Sequence, residues 1–269
     1  MITYDIHIHT SLSSCAERTA TVAGYVEQAK NTDLKLLGFA DHLWDSKIPG
    51  VSRWYEPQNV EHVLRLKKEL PASGVIDGIQ VLFGCETDFT YENKLCLAEE
   101  NMDHFDFILV PHSHTHMGVI VPKEQIADSP SHAKYLMSSF LALVNHPLSH
   151  RITSIAHPFI PGTNHAICDE VQSYIPDSYF REAFQAAKEK GIAIEVNGSC
   201  FIARSEENLR NCEYRRIYSI AKECGCKFTY GSDNHSCLAD RKLPIIEQFL
   251  AYCNIDDADF LRIEDFKRR

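Results

Sequence analysis

Short runs of Ile, Val, Leu and Phe recur along the chain. Each is followed by a polar turn and then by a segment whose apolar positions return every three or four residues. The strand-like runs are Thr3–His9, Lys35–Asp41, Ile79–Cys85, Phe105–Val110, Ile152–Ala156, Ile192–Val196 and Lys227–Tyr230. They are continuous rather than alternating, the pattern of strands covered on both faces in a parallel sheet. Between them, Val22, Tyr25, Val26 and Ala29 share one helical face. Val60, Val63 and Leu64 form another, as do Phe180, Phe184 and Ala187, and Ile217, Ile220 and Ala221. A helix is predicted over Ser131–Asn145, stopped by Pro147. Another opens at Pro176–Asp177, runs to Lys190 and closes at Gly191. Seven alternations of this kind predict an α/β protein, either a closed barrel or a large open parallel sheet.

A length of 269 residues suits one such barrel or two small domains, and 44% hydrophobic residues supply a sizeable core. No run approaches the roughly 20 apolar residues of a membrane span. The first strand begins almost at the initiator Met, which predicts a cytoplasmic protein without a signal peptide. A net charge of −10 argues against a basic face that would neutralise a long nucleic acid. The ten cysteines show no metal-knuckle spacing and read as reduced thiols, several of them small buried hydrophobes.

Candidate chemistry gathers where the strands end. The seven runs lead into His7-Ile8-His9-Thr10, Asp41-His42, Glu86 followed by Asp88, His112-Ser113-His114-Thr115-His116, His157-Pro158, Glu195-Val196-Asn197-Gly198, and Gly231-Ser232-Asp233-Asn234-His235. Active sites of α/β barrels sit at the C-terminal ends of the strands. Imidazole and carboxylate together suit Zn, Mn or Fe(II). His7 and His9 are two apart on a strand, so both point to one face, and Asp233 and His235 repeat the spacing. Glu195 either caps its strand or orients a ligand. His62, His104, His132, His146, His150 and His165 read as surface residues of helices and loops. The charged run Arg262 to Arg269 reads as a solvated helix face.

This set resembles the polymerase and histidinol phosphatase (PHP) superfamily, through His-x-His-Thr, Asp-His, Glu, His, His-Pro and Gly-Ser-Asp-x-His spread from Asp5 to His235. The resemblance implies a single distorted (β/α)7 barrel, TIM-like, over residues 1–269, and a cluster of two to three divalent metals. His7, His9, Glu86 and Asp233 would hold the first. Glu86 would bridge to a second, held also by His112 and His157. His42 and His235 would hold a third, with Glu17 the added ligand and Cys15 its alternative, because the segment after His-x-His-Thr lacks the His or Asp of many members. Length and layout resemble the stand-alone histidinol-phosphate phosphatases, although the Tyr-Pro element of that subgroup is replaced here by Ser199-Cys200-Phe201.

The activity so implied is hydrolysis of a small phosphomonoester, histidinol phosphate leading, by in-line attack of a metal-bound hydroxide. Asp41 would transfer a proton or, equally, orient His42. His114 and His116 are placed to contact phosphate, and Arg204 to clamp it bidentately, with Arg18 a weaker choice. A nucleotide or short-oligonucleotide phosphoesterase shares the same metal pattern. A non-catalytic metal-binding barrel predicts missing ligands, and an amidohydrolase-like barrel predicts a bridging lysine; neither feature is seen. Trp44, Trp54 and Tyr55 either line the leaving-group pocket or pack beneath it.

Overall fold

The computed structural model describes residues 2–162, 165–201, 206–241 and 243–268. Nine strands form: β1 (Tyr4–Ile8), β2 (Leu36–Phe39), β3 (His42–Leu43), β4 (Val75–Ile76), β5 (Ile79–Thr87), β6 (Phe107–Pro111), β7 (Ser154–Ala156), β8 (Ala193–Asn197) and β9 (Phe228–Gly231). Seven of them, in the order β1-β2-β5-β6-β7-β8-β9, pair parallel throughout. They correspond one for one to the seven apolar runs. The two extra strands are short. β4 folds back antiparallel on β5, and β3 continues past β2 to set His42 beside Glu86.

The ring closes between its first and last strands through a single bridge, Ile8 to Asn234. There Asp233 N donates to His7 O (2.8 Å) and His9 N donates to Asn234 O (3.0 Å). A register break in β1 between Asp5 and Ile8 and this thin seam make the barrel a distorted (β/α)7 closure, as expected. Every position of β1, β2, β6, β7, β8 and β9 is buried, which is why these runs are continuously apolar. Each fully buried Leu, Ile or Phe contributes roughly 1.5–3 kcal/mol.

The helices cover the outside. α1 (Val22–Ala29) buries Val22, Tyr25, Val26 and Ala29, with Thr21 capping its start. α2 (Val60–Lys67) buries Val63 and Leu66. A short α3 (Glu99–Met102) precedes β6. α4 (Ser129–Val144) starts two residues earlier than expected because Asp128 caps it by accepting from Ser131 N. After α5 (Cys168–Ser173), α6 (Asp177–Glu189) ends where Gly191 takes the left-handed conformation, φ 69°. α7 (Glu206–Asn211), α8 (Glu213–Glu223) and α9 (Leu243–Tyr252) complete the layer. The C-terminal charged run differs from expectation. It forms a 3-10 helix, Ile263–Arg268, whose buried Phe266 plugs the lower end of the barrel against Tyr4 and Phe107. Among the described residues, no helix is long and apolar enough to cross a membrane.

Candidate metal centre

The strand ends converge as anticipated. Three groups of donors come together: His7, His9 and Asp233; Glu86, His114 and His157; and His9, His42 and His235. Within each group the donor atoms lie within 4.8 Å of one another. Glu86 lies next to the end of β5, the longest strand, and its two oxygens face different partners. Oε1 lies 3.0 Å from His157 Nε2 and 3.7 Å from His114 Nε2. Oε2 lies 2.8 Å from His42 Nδ1, 3.5 Å from His7 Nε2 and 3.6 Å from His9 Nε2.

Outer partners fix which nitrogen of each ring faces inward. Ser13 Oγ donates to Asp41 Oδ1 (2.6 Å), so at His9 Nδ1 (3.1 Å) it accepts, and His9 Nε2 is left with its lone pair. Ser113 Oγ likewise donates to His157 O (3.0 Å) and accepts from His157 Nδ1 (2.9 Å). His7 Nδ1 donates to Glu195 (2.7 Å), His114 Nδ1 to Asp88 (2.7 Å) and His235 Nδ1 to Asp233 O (2.9 Å). Five imidazoles therefore aim an Nε2 acceptor at the centre. There they meet each other and carboxylates: His7 Nε2 is 3.1 Å from His9 Nε2, which is 3.3 Å from Asp233 Oδ1. Acceptors facing acceptors at such distances call for a cation between them, a proton or a metal ion. Glu86 Oε2 and His42 Nδ1 tell the same story: they are 2.8 Å apart and buried, yet their geometry is not that of a hydrogen bond. Orphaned buried atoms and a mixed N/O donor set fit divalent metals.

Electrostatically the cluster favours positive charge at its centre. Burial alone would lower the His7 pKa, but Glu195, Glu86 and Asp233 hold it well above the usual value. Burial would raise Glu86, yet His7, His42 and His114 hold its carboxyl well below the usual range, and Asp233 is likewise depressed by His7 and His9. His9 is pushed down by burial and by His235 and His42. The backbone is also constrained, since His157 and Asp233 adopt positive φ values of 28° and 58°. Gly231 is required by close approach: a Cβ there would sit 2.3 Å from Glu195 Oε1 and from His7 Cβ.

Several expected roles change. His112 does not face the cluster. β6 ends at Pro111, and His112 turns into the apolar layer between Phe140 and Phe159. Its Nε2 accepts from Phe159 N (2.9 Å), and burial, with His157 nearby, lowers its pKa to about 3. His114, expected at phosphate, stands with Glu86 and His157 instead. Asp41 has both oxygens engaged by Thr10 and Ser13 and reaches His9 through Ser13 rather than orienting His42 directly. Glu17 turns outward to accept from Ser236 Oγ (2.8 Å) and Thr19 Oγ1 (3.1 Å). Cys15 lies at the cluster's rim, in the cleft lining with His235 and His42. Burial would raise its pKa, but these two rings lower it to about 6. His116 lines the cleft, its pKa lowered to about 4 by burial and by His114 and His157. Arg204 lies outside the described residues, and so does its proposed clamp. His132, expected at the surface, is buried against Thr115 Oγ1 (2.8 Å).

Sequence reasoning left Glu195 undecided and passed over Ser13 and Ser113. Glu195 holds His7 through one oxygen and His157 N (2.7 Å) and Asn197 Nδ2 (2.9 Å) through the other. Isolated serines carry no signal in one sequence. Only their position beside His-x-His-Thr and His-x-His-Thr-His hinted at a role.

The centre opens into a cleft of about 360 Å³ lined by Cys15, His42, Trp54, His114, His116, Met117, Asp233 and His235. A roomier hollow, about 680 Å³ beside Ile2 and Ile255, contains no imidazole.

The chain is similar to several known proteins. A probable phosphatase of Shewanella loihica is 26% identical over 249 residues, covering 91% of this chain and 84% of that protein. A probable phosphatase of Escherichia coli O81 is 23% identical, covering 88% and 80%. The solved histidinol phosphate phosphatase of Lactococcus lactis, complexed with Zn, L-histidinol and phosphate, shares the fold with a TM-score of 0.65 at 18% identity, over 94% of both chains. The profile of the PHP domain matches residues 5–199, and the chain belongs to the PHP-domain family.

Proposed function

We propose that this protein is a metal-dependent phosphomonoesterase. The observation that carries the reading is the ring of donors: five imidazole Nε2 atoms and the oxygens of Glu86 and Asp233 directed at one another in one buried cluster. His7, His9, Glu86 and Asp233 would hold one metal. Glu86, His114 and His157 would hold a second. His9, His42 and His235, with Cys15 at the rim, would hold a third. When bound, such metals supply nucleophilic oxygen at neutral pH and clamp phosphoryl oxygens.

The chain's own residues do the rest. Glu195, Ser13, Ser113 and Asp88 fix ring orientation before substrate arrives, so no reorganisation is needed during reaction. Asp41 keeps Thr10 and Ser13 in place through both of its oxygens. His116, neutral because its pKa is low, can donate one hydrogen bond to a phosphate oxygen in the cleft. Arg204 remains the proposed guanidinium clamp. Histidinol phosphate heads the substrates, on the fold shared with the Lactococcus lactis phosphatase.

Metal content of the purified protein, with phosphomonoester turnover before and after chelation, is the test. Two to three metals per chain, with turnover abolished by chelator and restored by Zn, Mn or Fe(II), is expected. A protein that holds no metal after reconstitution overturns the reading.

A further inference from the structure

The geometry points to a leaving group that carries a planar ring, read by Trp54 and Met117 in the lining of the cleft. This inference rests on the phosphomonoesterase reading. Trp44, Tyr55, Cys96 and Ile120 form a small hydrophobic cluster separate from the barrel core, with Trp54, Met117, Ile48 and Val119 packed on it. Trp44 and Tyr55 are buried, 1% and 0% exposed, and serve as the foundation. Trp54 is only part-buried and lines the cleft together with Met117. Its ring stands edge-on to His42, with centroids 5.3 Å apart, so the indole borders the place where an ester held at the metals would project its alcohol.

The wall is held in advance. Gln58, fully buried, uses all four of its polar groups. Nε2 donates to Trp54 O (2.9 Å), Oε1 accepts from Ser14 N (2.8 Å), its N–H donates to Tyr55 O (2.7 Å) and its carbonyl accepts from Trp44 N (2.9 Å). One amide thus ties the Trp54 loop to the loop carrying Cys15. Tyr55 OH donates to Asp88, whose other oxygen holds His114. Such preorganisation makes an aromatic face usable without ordering cost on binding. Among the described residues the cleft lining contains no Lys or Arg, and its one carboxylate, Asp233, faces the imidazoles. A planar ring gains stacking on Trp54 and contact with the Met117 thioether; a polyol gains neither.

Benzyl phosphate, cyclohexylmethyl phosphate, glycerol 1-phosphate and phosphocholine are all primary alkyl esters, so their intrinsic reactivities stay close. In the metal-loaded wild type, kcat/KM for benzyl phosphate should exceed that for glycerol 1-phosphate by about tenfold, and that for cyclohexylmethyl phosphate by a smaller factor. Trp54→Ala should erase the benzyl advantage, bringing kcat/KM for benzyl phosphate and glycerol 1-phosphate within about twofold of each other. Trp54→Phe should restore most of it, and Met117→Ala should lower benzyl phosphate alone. An equal fall for all esters in Trp54→Ala, no aromatic preference in the wild type, or phosphocholine as the best ester would each overturn the inference. If no ester turns over, the phosphomonoesterase reading fails separately. The wall is then judged by calorimetry: phenylphosphonate binding about tenfold tighter than methylphosphonate upholds it, and equal affinities sink it.

Discussion

The centre has an inner and an outer part, and they are built differently. The inner part is closed off from solvent. His7 lies on β1, Glu86 on β5 and Glu195 on β8, with side chains 0–1% exposed. The outer part opens to solvent, although His42 lies on β3. His235 is about a third exposed, and Cys15, beside it, is solvent-exposed. Donors locked by burial and packing are held more tightly than exposed ones, so the inner donors should bind metal firmly and the outer ones exchangeably. His9 belongs to both groups and couples them.

The largest effect expected is from Glu86→Gln. It removes the only carboxylate whose two oxygens face both inner groups. An amide cannot neutralise two cations. Metal content should fall below one per chain and turnover by at least about a thousandfold, beyond the 10–100-fold typical of losing an outer partner. Retention of two metals, counted by elemental analysis, would remove Glu86 as the bridge.

A step smaller is His235→Ala. The inner donors are untouched, so about one metal equivalent should be lost while the others stay, with turnover down on the order of a hundredfold. Loss of every metal would show that the inner and outer parts are a single cooperative unit and would erase the distinction between them.

The inner part was legible in sequence because strands impose rules. Alternation placed His7 and His9 on one face, and parallel strands brought seven C-terminal ends to one mouth. The reading faltered where strands stop. His112 and His114 flank Ser113 just beyond β6, where alternation no longer governs direction, and the chain turned His112 into the Phe140–Phe159 layer. Glu17 and Cys15 posed the same problem on a loop. Charge favoured Glu17, but the backbone bond from Glu17 N to His235 O (2.9 Å) and the Ser236 contact turn its carboxylate outward. Trp44 and Tyr55 against Trp54 could not be separated at all, since neighbouring aromatics in one segment have equal claim to foundation and wall.

Orientation gives the next prediction. Ser13→Ala deletes the hydroxyl that accepts from His9 Nδ1 and from His42 N (3.1 Å) and donates to Asp41. The donors themselves remain, so metal should still bind, about 10–100-fold more weakly. Asp41 would also lose a buried partner, at a cost of roughly 1–3 kcal/mol. Metal affinity measured by competition with a chelator, alongside thermal unfolding of the metal-free protein, separates the two effects. Unchanged affinity with lowered stability would mean that the His9 tautomer is set by something other than Ser13.

The smallest effects come from the rim, where two neighbours divide sharply. Glu17→Gln keeps the backbone tie to His235 and replaces one exposed acceptor with another, so metal count and turnover should stay within about twofold and stability within about 0.5 kcal/mol. Cys15→Ser should act differently although it is nearly isosteric. It removes the thiol beside His42 and His235, whose pKa those two rings lower to about 6, and a hydroxyl is a far poorer ligand than a thiolate, which favours Zn. Outer-metal affinity should therefore fall by about tenfold, while the inner metals are unaffected. Cobalt substitution makes the contrast visible: a sulfur-to-cobalt charge-transfer band should appear in the wild type and in Glu17→Gln and vanish in Cys15→Ser. A band absent from all three, with Glu17→Gln losing the outer metal, would return Glu17 to the ligand position that its charge first suggested.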